Sequence, residues 1–381
     1  GSALSVLSTP RARVLLNGQE VGETPLHQTR VTPGSYTLKL ERAGYVSWSA
    51  PLELTAGKAK IVGPVTLLPT IPTTITTAVT KEETILQDTV GHSPFTVRLV
   101  TKTSWTMTDV AKRESRTITL PSAPTAIARH PNGTSWAITC GDQEVLSTIQ
   151  GTTWTFPTVT APAWSPISPT TLFGFRHGHL LAVDGLAKSV QDLGPMTSFE
   201  IDGQHLWTTS TSGTQTAISK RDPSTPTSSL SVALIDGHWT IVTQPANRLI
   251  FRQADGQAFL ANQFSFDVSS RTNLGVVDHL WWLNGTTPLW QHQADVLQLN
   301  SLGAVNLIDR WPGDVQTAWW LDPNHIVLLA DQNGVTARGT STEQGQHILG
   351  SWAAPGTLLG VDQNGHVWYK TDDSIIEQSW R

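Results

Sequence analysis

Two imidazoles one residue apart can share a zinc ion, and zinc then needs a third and a fourth ligand. His177-Gly178-His179 is such a pair, with Asp184 the nearest further donor. Apolar runs flank it on both sides, so it falls in the turn between two strands, and a plain polar turn is the favoured account of it. Acidic residues recur at other turn-like positions, among them Asp255, Asp331, Asp372 and Asp373. Carboxylates paired for acid–base work would have to be gathered from distant parts of the chain. A turn aspartate ordinarily bonds its own backbone. His177, His179, Asp255, Asp331, Asp372 and Asp373 are therefore candidate binding residues; no catalytic set, metal site or cofactor is expected. There is no Gly-x-Ser-x-Gly elbow, no glycine-rich phosphate loop and no His-Glu-x-x-His. The single cysteine, Cys140, lies in the apolar run Trp136-Ala137-Ile138-Thr139-Cys140 and reads as a buried, inert thiol.

The elements that would hold such turns repeat. His279-Leu280-Trp281-Trp282-Leu283-Asn284-Gly285 precedes the apolar Pro288-Leu289-Trp290, and Thr317-Ala318-Trp319-Trp320-Leu321-Asp322-Pro323 precedes His325-Ile326-Val327-Leu328-Leu329. The tryptophan pairs are about 38 residues apart, the period of a four-stranded propeller blade. Equivalent second strands centre near Val97, Trp136, Phe173, Trp207, Ile250, Trp290, Val327 and Trp368. Successive strand residues face opposite ways, so each tryptophan pair would send one ring toward each neighbouring blade. Stacking a sugar or a partner's side chain is the alternative use of such rings. After Trp368 the chain offers one more strand, 374–380, and stops. The β-branched run 73–80 can supply the missing outer strand and close the ring. This counting gives eight blades. Seven follow instead if 84–100 is an irregular appendage and 116–120 closes the ring. Two sequons, Asn132-Gly133-Thr134 and Asn284-Gly285-Thr286, fall at expected blade turns.

The composition agrees with an all-β chain: 381 residues, 30 glycines, 23 prolines and 16 tryptophans, with no amphipathic helical stretch. The net charge of −5 and the scattered Lys and Arg argue against a nucleic-acid partner. The imbalance is uneven, +3 over residues 1–68 and −8 over the remainder. No apolar run is long enough to cross a membrane as a helix. Gly1-Ser2 reads as a cloning scar, so an N-terminal membrane anchor upstream remains an expectation.

Residues 3–68 read as a small β-sandwich, followed by a linker at 69–72 and the propeller at 73–381. The first unit resembles the PEGA domain. The resemblance rests on Pro10, Val14, Asn17-Gly18, Val21-Gly22-Glu23-Thr24-Pro25, Thr32-Pro33-Gly34-Ser35-Tyr36, Ala43-Gly44-Tyr45 and Thr55-Ala56-Gly57. It departs at the family's namesake tetrapeptide, where Arg11 replaces an acid. The second unit is similar to WD40-type propellers, and the pair resembles anchored PEGA–propeller proteins of host-associated bacteria. The resemblance implies a bacterial, extracytoplasmic envelope or cell-surface protein, membrane-anchored in full length, with no catalytic residues to carry over. Three functions remain open. One is an interaction module for a protein or glycan at the envelope. Another is a lyase or glycosidase acting on envelope polysaccharide, weakened by having only Tyr36, Tyr45 and Tyr369. The last is a structural component assembling through blade edges.

Overall fold

The computed structural model describes residues 1–381 except 90–92, 152, 244–247, 263–265, 284–286, 300–302, 312, 323–325, 340–347, 363 and 381. The second sequon, at 284–286, lies outside the described residues.

The first unit is a sandwich of a three-stranded and a four-stranded sheet. Alternation of buried and exposed residues is clearest in two of its strands. Leu4 and Val6 of Ser2–Thr9 and Trp48, Ala50, Leu52 and Leu54 of Trp48–Leu54 all turn inward and are buried. Arg13–Leu16 and Gln19–Glu23 form a hairpin closed by Asn17-Gly18, both at positive φ (51° and 83°), the conformation a two-residue hairpin turn demands.

Residues 67–72 are not a slack tether. Leu67 and Leu68 are buried, and Tyr45 bridges Pro69. The Val46 N–H donates to the Leu68 carbonyl (2.8 Å), and the Trp352 indole N–H donates to the Thr70 carbonyl (3.1 Å). Leu349 packs against the cores of both units.

Beyond Pro72 the described residues form eight four-stranded antiparallel sheets. We name their strands a to d from the innermost outward. The b strands are Pro94–Leu99, Ser135–Cys140, Thr171–Arg176, Leu206–Ser212, Arg248–Arg252, Thr287–His292, Ile326–Asp331 and Val367–Lys370. Each contains the residue named for it from the sequence. Residues 83–119 supply a complete sheet, Glu83–Gln87 to Glu114–Thr119. In the last sheet the outer strand is Thr73–Ala78, paired antiparallel with Ser374–Ser379.

Every neighbouring pair of sheets shares its own apolar cluster, because alternate residues of one strand face opposite blades. Ile127 joins the cluster between the first and second sheets, and Ala128 the one between the second and third. Trp207 and Phe251 fill the junction of the fourth and fifth; Ile250 and Trp290 fill the next. Val110, Trp368 and Ile375 form a cluster shared by the eighth sheet and the first. Trp281 and Trp319 pack partly buried in separate junctions, so these rings serve mainly as inter-blade filling. Polar pins cross the junctions too. The Gln291 amide donates to the Gly313 carbonyl (2.8 Å) and accepts from Val315 N–H (2.9 Å). Arg129 pairs with Asp109 across the first junction.

Antiparallel order gives the ring two distinct faces. All b–c turns and d-to-a connections lie on one, and all a–b and c–d turns on the other. Thr73 pairs with Ser379 at the c–d end of its sheet. The chain from the sandwich therefore reaches the ring at the a–b face.

Candidate functional site

The six residues singled out from the sequence all fall at b–c turns, and so on one face, but in different blades. His177 is exposed at φ 51°, followed by Gly178 at φ 81°, which makes this a tight hairpin turn. His179 Nδ1 lies 2.9 Å from Asp192 Oδ2 on the adjacent strand. Asp192 is held below the usual carboxylate range, first by the Gly194 N–H and then by His179. Asp184 sits at the far end of the strand His179–Asp184, about 16 Å away at the rise of an extended chain. There it accepts the N–H groups of Leu186 (2.9 Å) and Ala187 (3.0 Å). It cannot join the two histidines around one ion. Among the described residues no cluster of three or more metal-ligating groups occurs.

The aspartates are engaged at their own turns. Asp255 accepts the Gln257 N–H at 3.0 Å. Asp373 accepts from the Thr371 hydroxyl (3.2 Å), and Asp372 is exposed beside it. Asp331 is buried. It accepts the N–H groups of Asn333 (2.7 Å) and Gly334 (3.1 Å) with one oxygen and the Trp311 indole N–H (3.1 Å) with the other. Asp331 also lines one of the two clefts described next.

Two clefts open at blade junctions on this b–c face. One, of about 630 Å³, lies between the sixth and seventh sheets and is lined by Trp311, Thr336, Ser351 and Arg338. The other, of about 610 Å³, lies between the fourth and fifth and is lined by Trp239, Thr211, His238 and Gln253, with the end of the strand Arg248–Arg252 at its edge. Their tryptophans occupy equivalent positions. Trp239 and Trp311 each follow an outer strand, Ser229–Asp236 or Val305–Arg310, in the connection to the next inner strand. Each indole N–H is anchored, Trp239 to the Asp236 carbonyl (2.7 Å) and Trp311 to Asp331. Their electrostatics differ. Arg338 pairs with Asp309 at 2.5 Å, both side chains largely buried. The Arg252 side chain makes no hydrogen bond or ion pair among the described residues, and its Nε, like that of Arg338, is buried without an acceptor. A smaller hollow of about 380 Å³ lies among the inner strands, lined by Gln87, Trp281, Gln316 and the chain at Leu358 to Val361.

Buried titratable groups sit elsewhere. Burial pushes the Glu144 carboxyl up to about 7, although the Thr139 hydroxyl (3.3 Å) and the Val159 N–H support the anion. Glu144 is 2% exposed and lines neither cleft. Burial likewise pushes the Cys140 thiol up to about 11, which suits an inert core residue. Tyr369 is raised for the same reason.

The sequence reading did not single out Trp239, Arg252, Trp311 or Arg338. Their one sequence signal is a tryptophan inside an otherwise polar connection, Gly237-His238-Trp239 and Trp311-Pro312-Gly313.

Comparison with known proteins bears on both units. No curated protein matches the chain in sequence. BamB from Moraxella catarrhalis is similar in structure, with a TM-score of 0.51 and 13% identity over 82% of this chain and 99% of that one. The Dos1 propeller is similar too, with a TM-score of 0.53 and 10% identity over 82% of this chain and 95% of its own. At such identities the likeness is one of fold. The PEGA domain family matches residues 2–62. The chain thus joins a PEGA domain at its N-terminal side to a β-propeller.

Proposed function

We propose that this chain is a non-catalytic interaction module of a bacterial cell envelope, which presents the b–c face of its propeller to a protein or glycan partner. The observation that carries this reading is the placement of the two tryptophan-lined clefts. Both open on the b–c face, while the PEGA domain and the segment 67–72 are tied to the ring from the a–b side. A propeller fixed from one side leaves the other free to meet a partner. Each cleft presents an anchored indole, Trp239 or Trp311, and tryptophan is among the side chains that dominate binding surfaces. The envelope location rests on the PEGA match. We take the ring as eight-bladed, closed by Thr73–Ala78, with the sandwich at 3–68 and a short connection at 69–72.

Capture from solubilised bacterial envelopes by the immobilised chain tests this reading. Arg310, at the b–c rim, and Leu186, in a c–d turn on the opposite face, are both highly exposed, so changing either leaves the core intact. Arg310→Glu is expected to reduce capture several-fold and Leu186→Glu to leave it unchanged. Loss with Leu186→Glu alone, or turnover of a cell-wall polysaccharide by the wild-type chain, would overturn it.

A further inference from the structure

We propose that the a–b face of the second, third and fourth sheets is a lipid-contacting surface, which seats the ring on an anionic membrane through Ile149, Ile167 and Leu186. This goes beyond the interaction-module reading and does not depend on what the b–c face binds.

The apolar residues come first. Ile149 and Leu186 sit in c–d turns, after the strands Gln143–Thr148 and His179–Asp184. Ile167 sits in the a–b turn between Thr160–Trp164 and Thr171–Arg176. The three side chains are 58%, 85% and 53% exposed, and their turns share one face of the ring. Leu230, 65% exposed at the start of Ser229–Asp236, carries the arc into the fourth sheet. The b–c turns of the same sheets, at 141–142, 177–178 and 213–214, hold no large apolar residue. Several large apolar side chains exposed together mark an interaction surface.

The turns are tied to one another. The Ile149 N–H donates to the Thr134 carbonyl (2.9 Å), His130 Nε2 lies 3.1 Å from the Ser165 carbonyl, and the Gly185 N–H donates to the Thr170 carbonyl (2.9 Å). Bonds therefore run from the turn of Ile149 through 130–134 and 165–170 to the turn of Leu186. Pro166 and Pro169 stiffen the chain around Ile167. The apolar tips thus project from a fixed backbone and lose little freedom on contact.

The surrounding charge selects the occupant. Lys112 and Arg113 are exposed in the c–d turn of the first sheet, and Lys188 is exposed two residues beyond Leu186. Of the acids at this level, Asp184 and Asp222 accept the Leu186 (2.9 Å) and Ser224 (2.8 Å) N–H groups of their own turns, and Glu114 begins the strand after Arg113. Apolar tips flanked by cations match a lipid surface, where the tips enter the acyl boundary and the cations stay among anionic headgroups. A protein side chain would need a pocket to fill, and Ile149, Ile167 and Leu186 line none of the clefts described above. The PEGA domain is tied to the same side of the ring at the seventh and eighth sheets, across from the arc. A membrane on this side leaves the b–c face free.

Flotation of the full chain with vesicles containing phosphatidylglycerol, beside vesicles of phosphatidylcholine alone, tests this. The chain is expected to float with the anionic vesicles and to be released as salt rises. Replacing Ile149, Ile167 and Leu186 together by serine should weaken binding by at least about tenfold, with the melting temperature unchanged. Lys112→Glu with Lys188→Glu should weaken it by at least about fivefold. Leu186→Cys carrying a polarity-sensitive dye should shift to the blue on vesicles, and Asp142→Cys in a b–c turn should not; Cys140 is buried and stays unlabelled. No flotation, equal binding to both vesicle types, wild-type binding by the triple variant, or a dye shift at position 142 instead of 186 would each overturn the assignment. Envelope capture that depends on Arg310 still supports the interaction reading in any of these cases, and capture lost with Leu186→Glu in the absence of vesicle binding would make the arc a protein interface.

Discussion

Removing one indole from the junction that closes the ring should cost as much as removing one from its middle. Trp368 is 1% exposed between the eighth and first sheets, and Trp290 is fully buried between the fifth and sixth. Neither indole N–H has a hydrogen-bond partner, so each ring contributes through packing and burial. Trp→Ala at such sites costs about 3–5 kcal/mol through lost transfer energy and the cavity left behind. At roughly 2 °C per kcal/mol for a large domain, that is a melting temperature about 8 °C lower for either variant. Thermal unfolding followed by circular dichroism, with each variant measured beside wild type, reads the comparison. The closing junction has the smallest buried cluster of the ring, Val110, Trp368 and Ile375, and so is the place where an open ring would show. If Trp368→Ala costs less than about 1 kcal/mol while Trp290→Ala costs the full amount, the eighth sheet does not seal against the first.

Three further outcomes follow from buried groups. Glu144 carries a carboxyl raised to about 7 in the folded chain, so the native state keeps a proton that the unfolded state gives up. Its contribution is complete below about pH 4.5 and is lost as pH rises to about 7, by on the order of 3 kcal/mol. Urea melts at pH 5 and pH 8 should show that loss, and Glu144→Gln should remove most of it. Arg338→Ala leaves Asp309 buried and unpaired and should cost about 3–5 kcal/mol, whereas Asp309→Leu with Arg338→Met should be close to neutral. A double-mutant cycle by urea unfolding distinguishes these, and additive losses would count against the pair. Gly334 has φ 148°, and a Cβ there would collide with the Trp352 carbonyl. Gly334→Ala should therefore cost at least about 2 kcal/mol, against about 1 kcal/mol for Gly18→Ala, whose turn has open space; melting temperatures read the difference.

The blade pattern was legible because b strands are apolar on both faces. Leu289 and Trp290, or Val327 and Leu328, must each fill a different junction, so they appear in sequence as unbroken apolar pairs at a fixed period. The sandwich was legible through its turns, since Asn17-Gly18 permits few alternatives. The segment 67–72 was harder. Its prolines at 69 and 72 announce a break in pairing, but not that Leu67 and Leu68 are buried or that Thr70 receives a bond from Trp352. The clefts were not legible. The one around Trp239 joins a d-to-a connection with Arg252 from a b strand and Thr211 from the preceding sheet, and only closure of the ring sets them around one space. His177-Gly178-His179 misled in the opposite sense. Its short spacing suggests a shared ion, but the hairpin hands His179 to Asp192 and keeps Asp184 at the far end of the strand.

The placement of the binding face is tested most directly by hydrogen exchange of the full chain with and without its captured partner. Protection is expected in the b–c turns and d-to-a connections around 237–242, 253–256 and 310–316, with the a–b and c–d turns at 202–205 and 222–228 unchanged. Protection confined to the latter turns, or to the PEGA domain, would contradict the account.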